Sequence, residues 1–522
     1  MNHNLWMYLV SLLLAAGCQA VSHEDMDPAY AIEKSDILGF EESGIRGSVP
    51  GSRQIGGQQL LQDWIPVQAS LGANDSLTYT FHVNYSSPGL SSSYEIMVFI
   101  SASICKLPEA EGPNDGLTIY YTFDQTATNI SSMNQISFEN GYAQGIASVD
   151  TANDTENLYI TVKADECSEC SVGDTWVYEL GLSQSDLVFQ YDINSMVSVL
   201  DTDYDSAALS AKNLTFRNDS NYKLYIYDED LYSPVQRLNE SWCAVKESTG
   251  YVQEFDLIES SIVGDGKFFS VGELNKSSTY TAVLVQSYNT LSYGGAVFHP
   301  FNFSTMGSEA CKVIYGLDFC DQVSYAVPVS RNFSMGSQTA QELGAAYDNY
   351  VQDLYQNFDY AMQQISCDAH LDSRYSPIRT CDDCKYSYKQ WLCAVSIPRC
   401  SSENSKYYRE YSSSDGRNSF VKDTIDPPLA YSEILPCIDM CDSIVRDCPA
   451  DFGFTCPLQS DFAGISYGVP NQLDDFTVCN SVGDQTQDIG DFSVLSNDGM
   501  KLTVGSTALV VWAVFSITFI AF

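Results

Sequence analysis

The sequence predicts a multidomain chain in which an all-β N-terminal region of one or two β-sandwiches precedes a mainly α, disulfide-rich C-terminal domain. Three patterns support this fold class. Apolar residues alternate with polar ones over much of 61–308, they recur at helical spacing after residue 337, and ten of the 17 cysteines lie between residues 367 and 479. A chain of 522 residues is long enough for about three domains.

The strand pattern is clearest at residues 77–85, where every second side chain is apolar. Similar runs cover 94–104, 117–123, 158–162, 176–182, 222–227 and 279–288. The runs at 158–162 and 176–182 flank a loop that holds Cys167 and Cys170, and they predict a β-hairpin. Turn-forming clusters between the runs predict one sandwich over 61–187 and a second over 188–308.

A long amphipathic helix follows a linker at 309–336. Thr339 and Glu342 have the spacing of a capping box. Apolar side chains then recur at steps of three and four at positions 343, 347, 350, 351, 354, 355, 358, 362 and 365. This stripe predicts a helix that packs against the cysteine-rich part, and together they form a predicted domain at 337–480.

The N-terminal end has the features of a secreted chain. The short apolar run before Cys18 predicts a signal peptide over residues 1–20, and a Gly- and Ser-rich leader follows at 21–60. Ten Asn-x-Ser/Thr acceptors predict N-glycosylation at Asn74, Asn84, Asn129, Asn153, Asn213, Asn218, Asn239, Asn275, Asn302 and Asn332. The chain from residue 333 to 497 has none, which predicts a glycan-free surface there.

Sixteen cysteines follow the signal peptide, and an even number in an oxidising compartment predicts complete pairing. Six are widely spaced, at Cys105, Cys167, Cys170, Cys243, Cys311 and Cys320. Ten are crowded, at Cys367, Cys381, Cys384, Cys393, Cys400, Cys437, Cys441, Cys448, Cys456 and Cys479, and we expect these to form five disulfides among themselves. The two C-x-x-C pairs favour disulfides over zinc, because only four histidines follow residue 20. The connectivity stays open.

The C-terminal end predicts a membrane attachment. After a linker at 481–499, residues 500–522 form an apolar tail with no basic residue behind it. A small-residue site, a spacer and a terminal apolar tail are typical of a glycolipid-anchor signal, with Asn497 as the favoured attachment residue. The alternative is a single transmembrane tail. Its apolar run of 15 residues is shorter than the ~20 that a spanning helix needs.

Composition and missing motifs exclude several function classes. A net charge of −42 repels phosphate backbones, which excludes nucleic acid as a partner. Asp201, Asp203 and Asp205 have the spacing of the first ligands in a calcium-binding loop. Ser206 and Lys212 occupy the positions where that loop needs Gly and Glu, so no metal is assigned. No catalytic turn or phosphate-binding loop occurs. We therefore predict no enzyme and no cofactor.

Residues 381–400 run CDDCKYSYKQWLCAVSIPRC, residues 436–441 run PCIDMC, and Cys448 and Cys456-Pro457 follow. This pattern resembles the C-terminal signature of the fungal stretch-activated calcium-channel subunit family. It is also similar to frizzled-type cysteine-rich domains and to the extracellular subunit of the animal sodium-leak channel. The resemblance implies an accessory subunit of the high-affinity calcium influx system, with a frizzled-like C-terminal domain that sits on a large four-repeat calcium-channel pore subunit.

The resemblance further implies a place at the extracellular face of the plasma membrane, reached through the endoplasmic reticulum. There the subunit would promote calcium influx during stretch, mating or stress, and Trp391 is the residue we expect to contact the pore subunit. Three alternatives stay open: a stretch-gated channel formed by this protein itself, a lipid-anchored cell-wall adhesin or wall-remodelling glycoprotein, and a receptor that binds lipid in a frizzled-like groove. A single apolar tail cannot line a pore alone, which ranks the self-formed channel below the accessory role.

Overall fold

The computed structural model describes residues 54–482, apart from 56–57, 85–94, 110–114, 127–128, 151–156, 168–169, 171–173, 212–219, 249–250, 254–266, 289–293, 332–338, 368–369, 371–373, 403–406, 458–462 and 470–477. Several sequence predictions lie outside these residues: the signal peptide, most of the leader, the acceptors Asn153, Asn213, Asn218 and Asn332, the anchor residue Asn497 and the C-terminal tail.

Two sheets with a shared apolar core form the first β-sandwich. Its strands, β1 to β10, are Gln54–Ile55, Gln58–Leu61, Val67–Leu71, Ser76–His82, Glu95–Lys106, Leu117–Thr122, Asn134–Ser137, Tyr142–Asp150, Asn157–Ala164 and Trp176–Ser183. One sheet has the order β1-β2-β4-β9-β6-β7 and the other the order β3-β10-β5-β8. The hydroxyls of Tyr79 and Tyr178 form a buried 2.7 Å hydrogen bond between the two sheets. The period-two pattern at 77–85 thus corresponds to β4.

The predicted hairpin of 158–162 with 176–182 is wrong. Both runs are strands, but β9 pairs with β4 and β6, whereas β10 pairs with β3 and β5 in the other sheet. Ile160 and Leu180 are both fully buried in one core. Because the connection between the strands is longer than a tight turn, the chain crosses from one sheet to the other and buries both apolar rows against each other.

A second pair of sheets follows. Its strands, β11 to β19, are Phe189–Asp192, Val197–Thr202, Ala207–Ala211, Ser220–Tyr227, Tyr251–Gln253, Lys267–Val271, Thr279–Tyr288, Gly295–Phe298 and Phe301–Ser304. The larger sheet has the order β11-β18-β17-β14-β15, with β19 also paired to β17, and the smaller sheet has the order β12-β13-β16. Helices α1, Glu229–Tyr232, and α2, Trp242–Glu247, lie between β14 and β15 in the chain.

The remaining described residues mix helices and strands. Helices α3 to α6 are Thr339–Met362, Cys381–Ser396, Ile438–Asp447 and Ala463–Ser466, with a π-helix at Phe420–Ile425. Strands β20 to β24 are Cys311–Ile314, Tyr325–Pro328, Arg399–Ser401, Arg409–Tyr411 and Tyr431–Ile434. The expected mainly α domain therefore contains a three-stranded sheet, β22-β24-β23, and the segment expected to be a linker contains the β20-β21 pair. Strands of three or four residues are too short to show a periodic pattern.

The structure joins the sixteen cysteines in eight disulfides. They are Cys105–Cys243, Cys167–Cys170, Cys311–Cys400, Cys320–Cys393, Cys367–Cys381, Cys384–Cys448, Cys437–Cys479 and Cys441–Cys456. The expectation of five disulfides within the crowded group is wrong. Two of its members bond to Cys311 and Cys320, because the β20-β21 region packs into the same core. We therefore define the C-terminal module as residues 311–482.

The described glycosylation acceptors lie mostly at the surface. Five are exposed, namely Asn74, Asn84, Asn129, Asn275 and Asn302. Asn239 is half-buried, and its Nδ2 donates a 3.2 Å hydrogen bond to the Tyr232 hydroxyl. A search of the helices within the described ranges found none with the length and apolar character that crossing a membrane requires.

Candidate functional site

The long helix α3 forms the internal frame of the C-terminal module. Leu343, Tyr347 and Val351 are fully buried in its core. Farther along, the ring of Phe358 stacks on Tyr388 of α4 with centroids 3.7 Å apart. Burial raises the pKa of the Tyr347 hydroxyl well above its ordinary value, so this group stays neutral. The apolar stripe that the sequence revealed is therefore used for packing inside the module.

Trp391 lies on α4, whose first turn is closed by a reciprocal capping box between Thr380 and Asp383. The indole is half-buried, and its Nε1 donates a 2.9 Å hydrogen bond to the Tyr467 hydroxyl. Its ring also packs beside Tyr388, with centroids 5.4 Å apart. Trp391 thus has a packing role, and its role as a partner contact stays a prediction.

A buried ion pair supports the small sheet of the module. Glu433 on β24 is fully buried, and its Oε1 lies 2.6 Å from Arg417 Nε. Burial raises the pKa of Glu433, and the neighbouring Arg417 opposes that rise. The rings of Tyr411 and Tyr431 stack nearby with centroids 5.3 Å apart. Removing Arg417 would leave this carboxylate buried without a partner charge, which is strongly destabilising.

The acidic turn that resembles a calcium loop is a joint between the second sandwich and the module. Asp201 accepts a 2.9 Å hydrogen bond from Arg399 Nε on β22. Asp203 is fully buried and accepts a 2.7 Å hydrogen bond from the backbone N–H of Val313 on β20. Lys312 forms ion pairs with Asp203 and Asp205. These carboxylates are already satisfied by protein groups, as expected for a structural turn.

The first sandwich contains one group of potential metal ligands. Cys105, Glu179 and Cys243 bring their ligand atoms within 4.8 Å of one another. The two sulfurs are bonded to each other, and a metal site of this type needs thiolates. The cluster is therefore a disulfide beside a buried carboxyl group.

The surface feature that the sequence did not reveal is a set of exposed apolar side chains. Of 13 large apolar residues that the structure shows exposed, eight follow residue 333: Leu354, Tyr360, Ile378, Tyr386, Leu429, Val445, Ile465 and Val469. All eight lie between residues 333 and 497, a range that contains no glycan acceptor. Single exposed apolar residues carry no signal in a sequence, because the same residue types fill the core and also contribute to the surface.

The comparison with protein families gives a match over most of the chain. The model described as Mid1, "Stretch-activated Ca2+-permeable channel component", matches residues 97–485. The "Stretch-activated cation channel MID1" of Saccharomyces cerevisiae is 36% identical over 492 residues, which cover 84% of this chain and 89% of that relative. The "Stretch-activated cation channel yam8" of Schizosaccharomyces pombe is 33% identical over 352 residues, which cover 65% of this chain and 70% of the relative.

Solved structures add little. The chicken CNTN1 FN1-FN3 domains align with 48% of this chain and 68% of their own at 10% identity, with a TM-score of 0.16. A TM-score this low carries no argument about the fold.

Proposed function

Because this chain belongs to the family of stretch-activated Ca2+-permeable channel components, we propose that it is the accessory subunit of a plasma-membrane calcium channel. It promotes calcium influx in response to stretch, mating or stress. In this proposal the protein is a glycoprotein at the extracellular face, held by its C-terminal anchor. Its partner is a large four-repeat pore subunit, and it has no enzymatic activity.

The surface of the C-terminal module is the observation that carries the proposal. Eight of the 13 exposed large apolar side chains follow residue 333, and residues 333–497 contain no glycan acceptor. Exposed apolar side chains are one source of protein–protein contact area, whereas glycans keep a surface wet and separate. Disulfides and buried ion pairs hold this surface rigid, which lowers the entropic cost of binding.

A new glycan can test whether the module docks on the pore subunit. Ile378 is 81% exposed and lies two residues before Thr380, so Ile378→Asn creates an Asn-x-Thr acceptor on the module. Ile193 is 78% exposed and lies two residues before Ser195, so Ile193→Asn is the matched control on the second sandwich. Ile378→Gln removes the same apolar side chain without adding a glycan.

We expect Ile378→Asn to lower calcium influx and recovery of the pore subunit severalfold, because a glycan blocks close approach. Ile193→Asn should leave both unchanged at equal surface expression. Glu410 is also exposed and lies two residues before Ser412, so Glu410→Asn adds a glycan at a second position on the module. Glycans at both module positions, with occupancy verified by mass, would contradict the docking proposal if influx stayed normal.

The names of the relatives favour one other candidate, a stretch-activated cation channel formed by this protein itself. Two measurements separate the candidates. The first is mass spectrometry of the tagged protein purified gently from its own plasma membrane, where the accessory role predicts a four-repeat polypeptide in stoichiometric amount. The second is reconstitution of the purified protein alone in lipid bilayers, where only a self-formed channel predicts a stretch-gated current.

A further inference from the structure

A cavity of about 220 Å³ lies between helices α4 and α5 of the C-terminal module. Its lining includes Asp383, Ser387 and Gln390 on α4 and Met440, Ser443 and Asp447 on α5. On each helix these positions are three or four apart, so each helix presents one face to the cavity. The Cys384–Cys448 disulfide connects the two helices, and the cavity is therefore part of a rigid frame.

One buried polar group in the lining has no partner. Gln390 is only 4% exposed, and within the described residues its Oε1 accepts no hydrogen bond. Native proteins leave few buried polar groups unpaired, because each costs about 1–3 kcal/mol. The oxygen has almost no solvent-accessible surface, so a molecule in the cavity would reach it only after the Gln390 side chain turns.

Two guanidinium groups lie on the more exposed side of the same cavity. Arg446 contacts the Asp447 carboxylate through Nε and Nη2 at 2.7 and 2.8 Å, and Arg379 Nε lies 3.1 Å from the same carboxylate. The Arg446 and Arg379 side chains are 53% and 34% exposed. A guanidinium has five N–H donors, so both groups retain donors that one carboxylate does not use.

The two acidic side chains of the lining are already engaged. Asp447 accepts a further 2.5 Å hydrogen bond from the Ser387 hydroxyl. Asp383 accepts hydrogen bonds from the backbone N–H and the hydroxyl of Thr380. The two carboxylates balance the charge of the two guanidinium groups, so preference for an oxyanion rests on the guanidinium N–H donors that remain unused.

We propose that this cavity binds a small organic acid. Its carboxylate lies at Arg379 and Arg446, and a short aliphatic stem lies against Met440 and Val482. A hydrogen-bond donor meets Gln390 Oε1 once that side chain turns toward the cavity. The volume equals that of roughly seven water molecules, which suits a molecule of about the size of glutamate. The same chemistry is offered by a free acidic amino acid and by an acidic side chain, with its backbone N–H, on a loop of a partner protein.

The test is binding of glutamate and N-acetylglutamate to the purified full-length protein, measured by titration calorimetry. We expect saturable binding that Arg446→Gln weakens by about tenfold and Gln390→Met weakens by a few fold. The matched control is Lys385→Gln, because Lys385 lies on the same helix, outside the cavity lining, and pairs with the exposed Asp359. This control should bind like the wild-type protein.

Three results would overturn the proposal. They are no saturable binding up to about 10 mM acid, equal binding by Arg446→Gln and the wild-type protein, or binding of butylamine, an amine without a carboxylate, as tightly as glutamate. The experiment needs no pore subunit, so it is independent of the proposed docking. Once binding is measured, excess N-acetylglutamate is added to the native complex. Release of the partner polypeptide assigns the acid to a partner side chain, and retention assigns the cavity to a free acid.

Discussion

A buried carboxyl group makes the stability of the first sandwich depend on pH. Glu179 lies on β10, beside the Cys105–Cys243 disulfide, and its Oε2 is buried with no hydrogen-bond partner among the described residues. Burial raises the pKa of Glu179 from the ordinary 4.5 to about 7. The negative charge of Glu247 adds to this rise, while the positive charge of Lys246 opposes it.

The direction of the effect follows from the raised pKa. Below pH 4.5 the carboxyl group is neutral in both the folded and the unfolded protein, and it costs nothing. Between pH 4.5 and about 7 the folded protein retains a proton that the unfolded chain releases, so the free energy of unfolding falls as pH rises. Above this window the full cost applies, about 3 kcal/mol at 1.36 kcal/mol per pH unit.

Glu179→Gln removes the charge and keeps the shape of the side chain. We expect the variant and the wild-type protein to be about equally stable at pH 4, with the variant gaining up to about 3 kcal/mol by pH 8. The assay is urea unfolding of the full-length proteins followed by tryptophan fluorescence. Glu309→Gln, in an exposed pair with Lys276, is the control and should change stability by less than about 0.5 kcal/mol. A difference between Glu179→Gln and wild type that does not vary with pH would refute the reasoning.

Three further substitutions test the packing by urea unfolding. Tyr79→Phe removes one partner of the buried hydroxyl pair and should cost about 1–3 kcal/mol, whereas adding Tyr178→Phe should recover part of that cost; no recovery would contradict the pairing. Arg399→Met leaves the Asp201 carboxylate of the joint unpaired and should cost about 3–5 kcal/mol, much of which Asp201→Asn should restore. Gly295→Ala places a Cβ against a backbone carbonyl of β17 and should lower the free energy of unfolding by at least about 1–3 kcal/mol. A urea midpoint equal to that of the wild-type protein would show that the strands can shift to make room.

The sequence predicted the elements in which one periodic pattern covers many residues. The run at 279–288 is β17, which is buried at five of its ten positions, and the stripe after residue 339 is α3. Both elements bury one face, and burial is what a repeat of two or of three to four residues records. The predicted packing of α3 inside the cysteine-rich part agrees with the core positions of Leu343 and Tyr347.

The features that sequence analysis missed depend on contacts between distant residues. Cys311 bonds to Cys400 because β20, β21 and β22 lie together in space, and no local pattern marks that neighbourhood. Asn239 matches the glycosylation acceptor pattern as well as Asn275 does, yet the first is half-buried and the second is exposed. The cavity between α4 and α5 likewise arises from two helix faces that are about 60 residues apart in the chain.

The joint between the second sandwich and the C-terminal module restricts how a partner can approach. The Cys311–Cys400 disulfide and the Asp201–Arg399 ion pair both connect these parts, and both are largely buried. The disulfide is a covalent tie, and bending that broke the ion pair would leave an unpaired, largely buried charge, so the joint resists bending. Glycans on the exposed Asn275 and Asn302 of the second sandwich would therefore keep a fixed position relative to the module. If glycans occupy the sandwich side, the proposed pore subunit would approach the module from its glycan-free faces, and only there should added glycans reduce calcium influx.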